Sequence, residues 1–431
     1  MGRVEPPRGM PPDSERQDLG AMTAVIAEQG ARGVAMLESE NQSSATPSQS
    51  RSGRRGKESA IAACFAAAVE RDLARLDSLL EEHHAMDMGP EMIAPLLWAQ
   101  CEEAGGSRRT DCLVLVELLL AADRPKFAAI LRHWIVSRHE LLGKLAVRNG
   151  LSALAIDIIG LAVLAETAFA ISNCDSMTYR LVAPAGIAEA LARLTGMDKP
   201  VFDDELRALV DRYHINATHQ PMTLAASEIR ASVEGKNLIN LKRKSLIIET
   251  AASIIEDSGV DAISARAVAK LAGVPAVMVF RYFHSIHELA LAAMRKIIEN
   301  ISTGLELGIG ASTLRTELFE ARRRPENPPR RAVMFHRSML QISLAAARSE
   351  GKLALGHLAR RHLGMVSYAT VGSDERVTVT RTRATSYSLW ASAAFLVAPA
   401  LGQEAEAFDF DAQALLAKQC LLTIDRDISL I

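Results

Sequence analysis

Two segments of this chain that lie 229 residues apart can be aligned with each other without a gap. This internal repeat constrains the fold more than any single motif does. Gly30 in the first segment corresponds to Gly259 in the second. In each copy an alanine-rich helical pattern follows, over residues 60–80 and over residues 288–301. The repeat predicts two modules of one architecture.

Composition and patterning favour an all-α fold class. Alanine and leucine dominate, aromatic residues make up only 4% of the chain, and almost no window shows the apolar–polar alternation of a half-buried strand. With 431 residues the chain is too long for one compact core. We therefore expect two all-α modules, each with a small head followed by a larger helical domain.

The segment 245–289 carries the pattern of three short helices. Apolar residues recur at helical spacing up to Gly259, a residue type that suits a left-handed helix end. Ser264 is a candidate N-cap for a second helix, Gly273 can supply the positive φ of a tight turn, and Pro275 can occupy the first position of a third helix. The inner face of the third helix is formed by Val274, Val279 and Phe283.

This spacing predicts a helix-turn-helix unit whose third helix, over residues 275–283, can enter the major groove of DNA. The whole chain has a net charge of −2, so an excess of positive charge that attracts nucleic acid has to be confined to one segment. Residues 236–296 have such an excess, because they include nine Lys and Arg but only five Asp and Glu. The alternative is a solvated helix with ordinary charges. The predicted DNA contacts are Lys242, Arg243, Lys244, Ser264, Arg266, Pro275, Ala276, Val277, Met278, Arg281, Tyr282 and His284.

This segment resembles the tetracycline-repressor (TetR) family over about 45 residues. The matching residues are Gly259, Val268, Ala269, Ala272, Gly273, Val274, Phe280, Tyr282, Phe283, Ser285 and Leu289. The chain departs from the family pattern at Ile286, where a lysine is usual, and at Val277 and Met278, where a Gly-Thr pair is common. The resemblance implies a repressor that binds a double-stranded DNA operator as a dimer and is released by a small-molecule effector.

The first copy lacks the apolar side of the third helix. Arg51, Gly53 and Arg54 occupy the positions of the three aromatic residues in the second copy, which predicts a degenerate unit. The predicted organisation is a disordered tail over 1–17, a degenerate head over 18–61, a ligand-binding or dimerisation domain over 62–225, a linker over 226–240, a helix-turn-helix head over 241–289 and a second helical domain over 290–431.

Several aromatic and basic residues of the two helical domains are candidates for ligand cavities, with ordinary core as the alternative. They are Trp98, His133, Trp134, Arg138, Arg337, Tyr387 and Trp390. The apolar helices 151–172 and 384–397 are candidates for a four-helix interface like that of TetR-like dimers. Such packing predicts an internal pseudo-dimer, and two chains are expected on each operator because paired heads bind more tightly.

The remaining features predict a cytoplasmic protein that binds no metal or cofactor and is not an enzyme. The five cysteines show no CxxC spacing, and the most membrane-like stretch, residues 151–170, is interrupted by Asp157 and Glu166. Phosphate-loop, hydrolase and metalloprotease motifs are missing from the sequence, so no catalytic residues are assigned. The alternative function is a protein-interaction or ligand-sensing module whose DNA-binding heads are vestigial.

Overall fold

The structure is a computed structural model that describes residues 13–30, 47–85, 90–196, 235–258, 262–307, 330–348, 356–357, 359–361, 363 and 381–422. Every regular element in these ranges is helical, which confirms the all-α prediction.

The first half of the chain contributes helices of very different lengths. They are α1 (Asp13–Gln29), α2 (Pro47–Ala85), α3 (Ile93–Gly105), α4 (Arg109–Leu120), α5 (Pro125–Arg148), α6 (Ala153–Asn173) and α7 (Met177–Thr195), with a 3-10 turn at Pro90–Met92. Local signals set several of these ends. Pro125 opens α5 with the fixed φ of a helix start, and Gly196 ends α7 with a φ of 69°.

The second half begins with the three helices of the predicted head. The helices are α8 (Gly235–Ser258), α9 (Ala265–Ala272), α10 (Ala276–Tyr282), α11 (Ile286–Leu307), α12 (Arg330–Ala347), α13 (Arg381–Leu401), α14 (Ala405–Phe408) and α15 (Phe410–Leu422), with a 3-10 turn at Gly402–Glu404.

Helix α6 runs through the centre of the protein and is buried on nearly every side. It packs against α3, α4, α5 and α7 from the first half and against α12, α13 and α15 from the second half. Its two acids are paired: Asp157 lies 2.7 Å from His139, and Glu166 binds Arg360 and Tyr179. Helices α6 and α13 are long and apolar enough to cross a membrane, but both are almost entirely buried. Burial in the core accounts for their composition.

Four helices, α6, α7, α13 and α15, pack against one another in every pairwise combination. Helix α6 contains residues 153–172 of the apolar stretch 151–172 that was predicted for a four-helix interface, and α13 contains the other predicted stretch, 384–397. A continuous apolar core therefore joins the two halves of the chain.

The junction between the halves is close-packed. The Ser172 and Ser343 hydroxyls lie 2.8 Å apart, and a Cβ on Gly356 would come within 2.8 Å of the Ser172 Cβ. Arg109 donates hydrogen bonds to the carbonyl oxygens of Ile171 and Ala347, which lie near the ends of α6 and α12. Small residues at these positions allow the two halves to approach closely, because a larger side chain would separate the helices.

Three boundaries differ from the sequence predictions. Helix α1 begins at Asp13, inside the predicted tail 1–17, and α8 begins at Gly235, inside the predicted linker 226–240. Helix α2 runs unbroken from Pro47 to Ala85, across the predicted boundary at residue 61. The segment 31–46 of the first head and residues 197–225 of the first helical domain lie outside the described residues.

Candidate nucleic-acid interface

Helix α9 is defined at both ends by the residues that the sequence indicated. The Ser264 hydroxyl accepts a hydrogen bond from the backbone N–H of Ala267 at 3.1 Å, which confirms the predicted N-cap. Gly273 ends the helix with a φ of 65°, and the N–H of Val274 returns to the carbonyl of Ala269 at 3.0 Å. The turn after α9 therefore requires the left-handed conformation that glycine adopts without strain.

Helix α10 begins one residue later than predicted. Pro275 has an extended ψ of 141° and precedes the first helical residue, so it is the N-cap of α10 and does not occupy the first helical position. Val279 and Phe283 are buried and Val274 is partly buried, as the predicted inner face requires. These apolar residues hold α10 against the rest of the head.

The outer face of α10 is mostly apolar. Val277 is 71% exposed and Phe280 is 53% exposed, while Leu271 at the end of α9 is 68% exposed. Pro275 and Ala276 are exposed and Met278 is partly buried. These side chains cannot donate hydrogen bonds to base edges, although they can contact a thymine methyl group.

The start of α8 lies beside the end of α10. The Tyr282 hydroxyl donates a hydrogen bond to the Asn240 side-chain oxygen at 3.1 Å, and the Lys244 ammonium lies 5.7 Å from the centre of the Phe283 ring. Tyr282 therefore braces α8, and its hydroxyl is already engaged in the protein. The role of Asn240 could not be predicted from local sequence, because its contact joins residues that are 42 positions apart.

Helix α11 begins with a capping arrangement that the sequence analysis missed. Glu288 donates its N–H to the Ser285 hydroxyl at 3.0 Å, and its carboxylate accepts the His284 N–H at 2.8 Å. The Ser-x-x-Glu spacing at 285–288 is the signal that could have revealed it. His284 is exposed, but its backbone N–H is occupied by this cap.

Exposed basic side chains surround the head. They are Lys242, Arg243, Arg266, Lys270 and Arg281. Two of the head's acids are engaged locally, since Glu249 accepts a hydrogen bond from Ser245 and Glu288 caps α11. Exposed positive charges of this kind can contact a phosphate backbone, and such contacts position a protein on DNA without reading its sequence.

The residues predicted to line ligand cavities differ in burial and do not lie at one site. Trp134 and Arg138 are buried together on α5, whereas His133 on the same helix is exposed and lies 3.1 Å from Glu70. Trp98 packs against Tyr179 with ring centres 5.9 Å apart. In the second half, Tyr387 and Trp390 pack 5.4 Å apart, and Arg337 is partly buried.

Two small cavities lie among these helices. One of ≈ 20 Å³ is lined by Trp134 and Arg138 in the first half. The other, of ≈ 10 Å³, lies between the halves beside Glu166 and Arg360. A cavity needs about 10–15 Å³ of this kind to hold one water, so neither admits a larger molecule without helix movement.

The cysteines are free thiols within or near the core. Burial raises the pKa of Cys112 and of Cys174 to about 12, so these thiols are protonated at neutral pH. Such residues act as small apolar side chains, because the thiolate is the reactive and metal-binding form.

Helices α8, α9 and α10, the glycine turn between α9 and α10 and the exposed basic residues define an all-helical protein with a helix-turn-helix unit. Residues 247–293 match the family model for bacterial regulatory proteins of the tetR family, from Ile247 in α8 to Ala293 in α11. The match supports TetR family membership and a DNA-binding regulator of TetR type. Searches of curated proteins and of solved structures gave no significant match.

Proposed function

We propose that this protein is a tandem TetR-type repressor with one DNA-reading head, in the second half of the chain, and that a small molecule releases it from its operator. The observation that carries this proposal is the head formed by α8, α9 and α10. Its turn is formed at Gly273, and Arg281 of α10 is exposed, as are Lys242 and Arg243 of α8. This geometry suits insertion of α10 into the major groove.

The unbroken helix α2 supports loss of DNA reading in the first half. In the second half, the non-helical residues 283–285 separate α10 from α11 and allow α10 to pack against α9. The corresponding positions of the first half are helical, and α2 continues through Gly56. A recognition helix that continues straight into the next helix cannot adopt the helix-turn-helix angle.

The packing of α6 and α7 against α13 and α15 supports an internal pseudo-dimer. In this arrangement each half provides two helices to one bundle, as each subunit of a TetR-like dimer does. A single chain then has one reading head. Two chains per operator are proposed because paired heads give higher affinity than a single head.

A path of contacts supports release by a ligand in the helical domains. Arg108 lines the cavity of the first half, and its neighbour Arg109 binds the carbonyl of Ala347 at the end of α12. Helix α12 packs against α8, the first helix of the reading head. A shift of α4 on ligand binding can therefore reach the head through directly packed helices.

Fluorescence anisotropy of the full chain on its own upstream DNA and on a scrambled duplex, at two salt concentrations, tests the DNA-binding role. We expect a preference for the upstream DNA that persists at higher salt, because non-specific binding declines steeply as salt is added. Arg281→Ala should weaken specific binding by about tenfold or more. Arg148→Ala, which removes the same charge from an exposed position on α5, is the matched control.

The exposed apolar surface of Leu271, Val277 and Phe280 favours a second candidate, a protein-interaction module. Equal or absent binding to both duplexes would favour this candidate. Under it, Val277→Ser should disrupt a protein complex while Arg281→Ala leaves that complex intact. Under the repressor proposal, Arg281→Ala has the larger effect on DNA affinity.

A further inference from the structure

A buried ion cluster lies in the first half of the chain, far in sequence from the reading head. The Asp72 carboxylate accepts hydrogen bonds from Arg108 at 2.8 Å, from Arg138 at 2.7 Å and from the Trp134 indole at 2.7 Å. Asp72 and Arg138 are each only 6% exposed. This cluster forms one wall of the ≈ 20 Å³ cavity.

The charged residues that line this cavity carry one net positive charge. Arg108 and Arg138 are opposed there by Asp72 alone. Glu103 lies 4.0 Å from Arg108 but is not part of the lining, and its carboxylate is engaged at 2.6 Å by Arg75. Asp72 is shared between two guanidinium groups and Glu103 between Arg75 and Arg108, so the lining presents more positive than negative charge to a bound anion.

Gln100 presents an unused hydrogen-bond donor in the same wall. Its side-chain oxygen accepts a hydrogen bond from Arg138 at 2.8 Å, which fixes the orientation of the amide, since a guanidinium cannot accept one. Its Nε2 is buried and has no acceptor among the described residues. An amide donor left buried in this way costs free energy until a water or a ligand supplies an acceptor.

The pKa of Asp72 shows how strongly the arginines dominate the electrostatics of the cluster. Burial acts to raise the pKa of this carboxyl, but the positive charges of Arg138 and Arg108, with hydrogen bonds from Arg108 and Trp134, lower it below its usual value. Asp72 is therefore ionised at neutral pH, and its charge is already included in the net balance.

The rest of the lining is suited to a short hydrocarbon group. Leu115, Val116 and Leu119 of α4 and Leu164 of α6 form the apolar part of the lining, to which Thr167 also belongs. An inorganic ion has no apolar group to contact these side chains. A ligand with a charged end and a short apolar end would contact both walls.

We propose that this cavity is a binding site for a small monocarboxylate, whose carboxylate accepts hydrogen bonds from Gln100 and Arg108 and whose aliphatic part packs against α4. The cavity widens to admit it, because its present volume corresponds to about one water. The regulatory consequence of binding rests on the proposed repressor function, whereas binding itself does not.

The first test is thermal unfolding of the full chain with sodium butyrate, with sodium chloride at the same ionic strength, and with butyramide. Butyrate at 100 times its dissociation constant should raise the melting temperature by about 2 °C or more. Chloride and butyramide should not, because chloride lacks the apolar group and butyramide lacks the charge. No effect of butyrate, or an equal effect of chloride or butyramide, overturns the proposal.

The Gln100→Glu variant tests the location. Its carboxylate would lie beside Arg138 and repel the carboxylate of butyrate, so butyrate should no longer raise the melting temperature. Gln419→Glu adds the same charge at an exposed position of α15 and should retain the full response. An undiminished response in folded Gln100→Glu places the butyrate site elsewhere and overturns the assignment.

Alkylation of the wild-type protein tests the site without any substitution. Cys112 lines the cavity, whereas Cys420 on α15 is partly buried and serves as an internal control. Butyrate should slow maleimide labelling of Cys112 by about tenfold or more at high occupancy and leave Cys420 unchanged, because a bound ligand opposes local opening. Equal labelling of Cys112 with and without butyrate contradicts the proposal. Neither thermal unfolding nor alkylation involves DNA, so failure of the butyrate-site proposal is distinguishable from failure of the repressor proposal.

Discussion

The carboxylate of Glu166 and the guanidinium of Arg360 form a bidentate ion pair with distances of 2.8 and 2.5 Å, and this pair joins the two halves of the chain. Both residues are buried, and the Tyr179 hydroxyl donates a further hydrogen bond to Glu166 at 2.6 Å. A buried pair of this kind contributes little net stability compared with apolar residues, but losing one partner leaves the other charge uncompensated.

We therefore expect Arg360→Met to lower the free energy of unfolding by about 3–5 kcal/mol, because the buried Glu166 carboxyl then loses its guanidinium partner. The double variant Glu166→Leu with Arg360→Met should recover much of this loss. Urea denaturation measures both values. Arg180→Met, which breaks the exposed ion pair with Glu102, should cost less than about 1 kcal/mol. A double variant as unstable as Arg360→Met would contradict this account.

Arg348, just after α12, should hold the end of α1. Its guanidinium donates to the carbonyls of Ala27 at 2.7 Å and Ile26 at 2.9 Å, and it pairs with Glu117 at 2.7 Å. Arg348→Lys keeps the charge but cannot serve three partners in this fork geometry. Hydrogen exchange of the α1 amides should become about tenfold faster, which corresponds to about 1.4 kcal/mol.

The matched control for this experiment is Arg148→Lys, at an exposed position of α5. It should leave exchange in α1 unchanged. If Arg348→Lys also has no effect on α1, the contacts of Arg348 do not hold that helix.

His139 should make stability depend on pH. Its hydrogen bond to Asp157 raises the pKa of His139; burial opposes the shift, and the negative charges of Asp157 and Glu140 add to it. The imidazole also packs 4.7 Å from the Phe408 ring of the second half. Because the folded-state pKa is raised, this stabilisation is fully present below about pH 6.5 and is lost as pH rises through the folded-state value.

The free energy of unfolding should therefore fall across that window, and His139→Asn should reduce the fall. The difference between wild type and variant in urea denaturation at several pH values isolates this residue from other titrating groups such as His357. Identical pH profiles for the two proteins would mean that protonation of His139 is not coupled to folding.

Two glycines should respond in opposite directions to the same substitution. Gly273→Ala should destabilise the reading head by about 1–2 kcal/mol, because an alanine at a φ of 65° is strained. Gly143→Ala, inside α5, should stabilise by about 0.5–1 kcal/mol. A Cβ at either position meets no described atom within 4 Å, so steric clash does not contribute. Urea denaturation of both variants gives the two signs, and a common sign would contradict the backbone argument.

The sequence by itself determined the features that depend on neighbouring residues. The Ser264 cap and the Gly273 turn were predictable because each involves backbone groups only a few residues away. The apolar content of α6 and α13 likewise indicated buried helices. The starts of two helices were predicted less accurately. Pro275 is the N-cap of α10 and not its first helical residue, and α8 starts at Gly235, inside the predicted linker.

The tertiary structure alone decided which polar residues meet in the core. Asp72 and Arg138 are 66 residues apart, and Glu166 and Arg360 are 194 residues apart. His133 and Trp134 are adjacent, yet one is exposed and the other lines the cavity. Such pairings depend on how packed helices cross and on which face each one buries. Helical periodicity places residues on a face, but only the packing of α2, α4 and α5 determines what that face contacts.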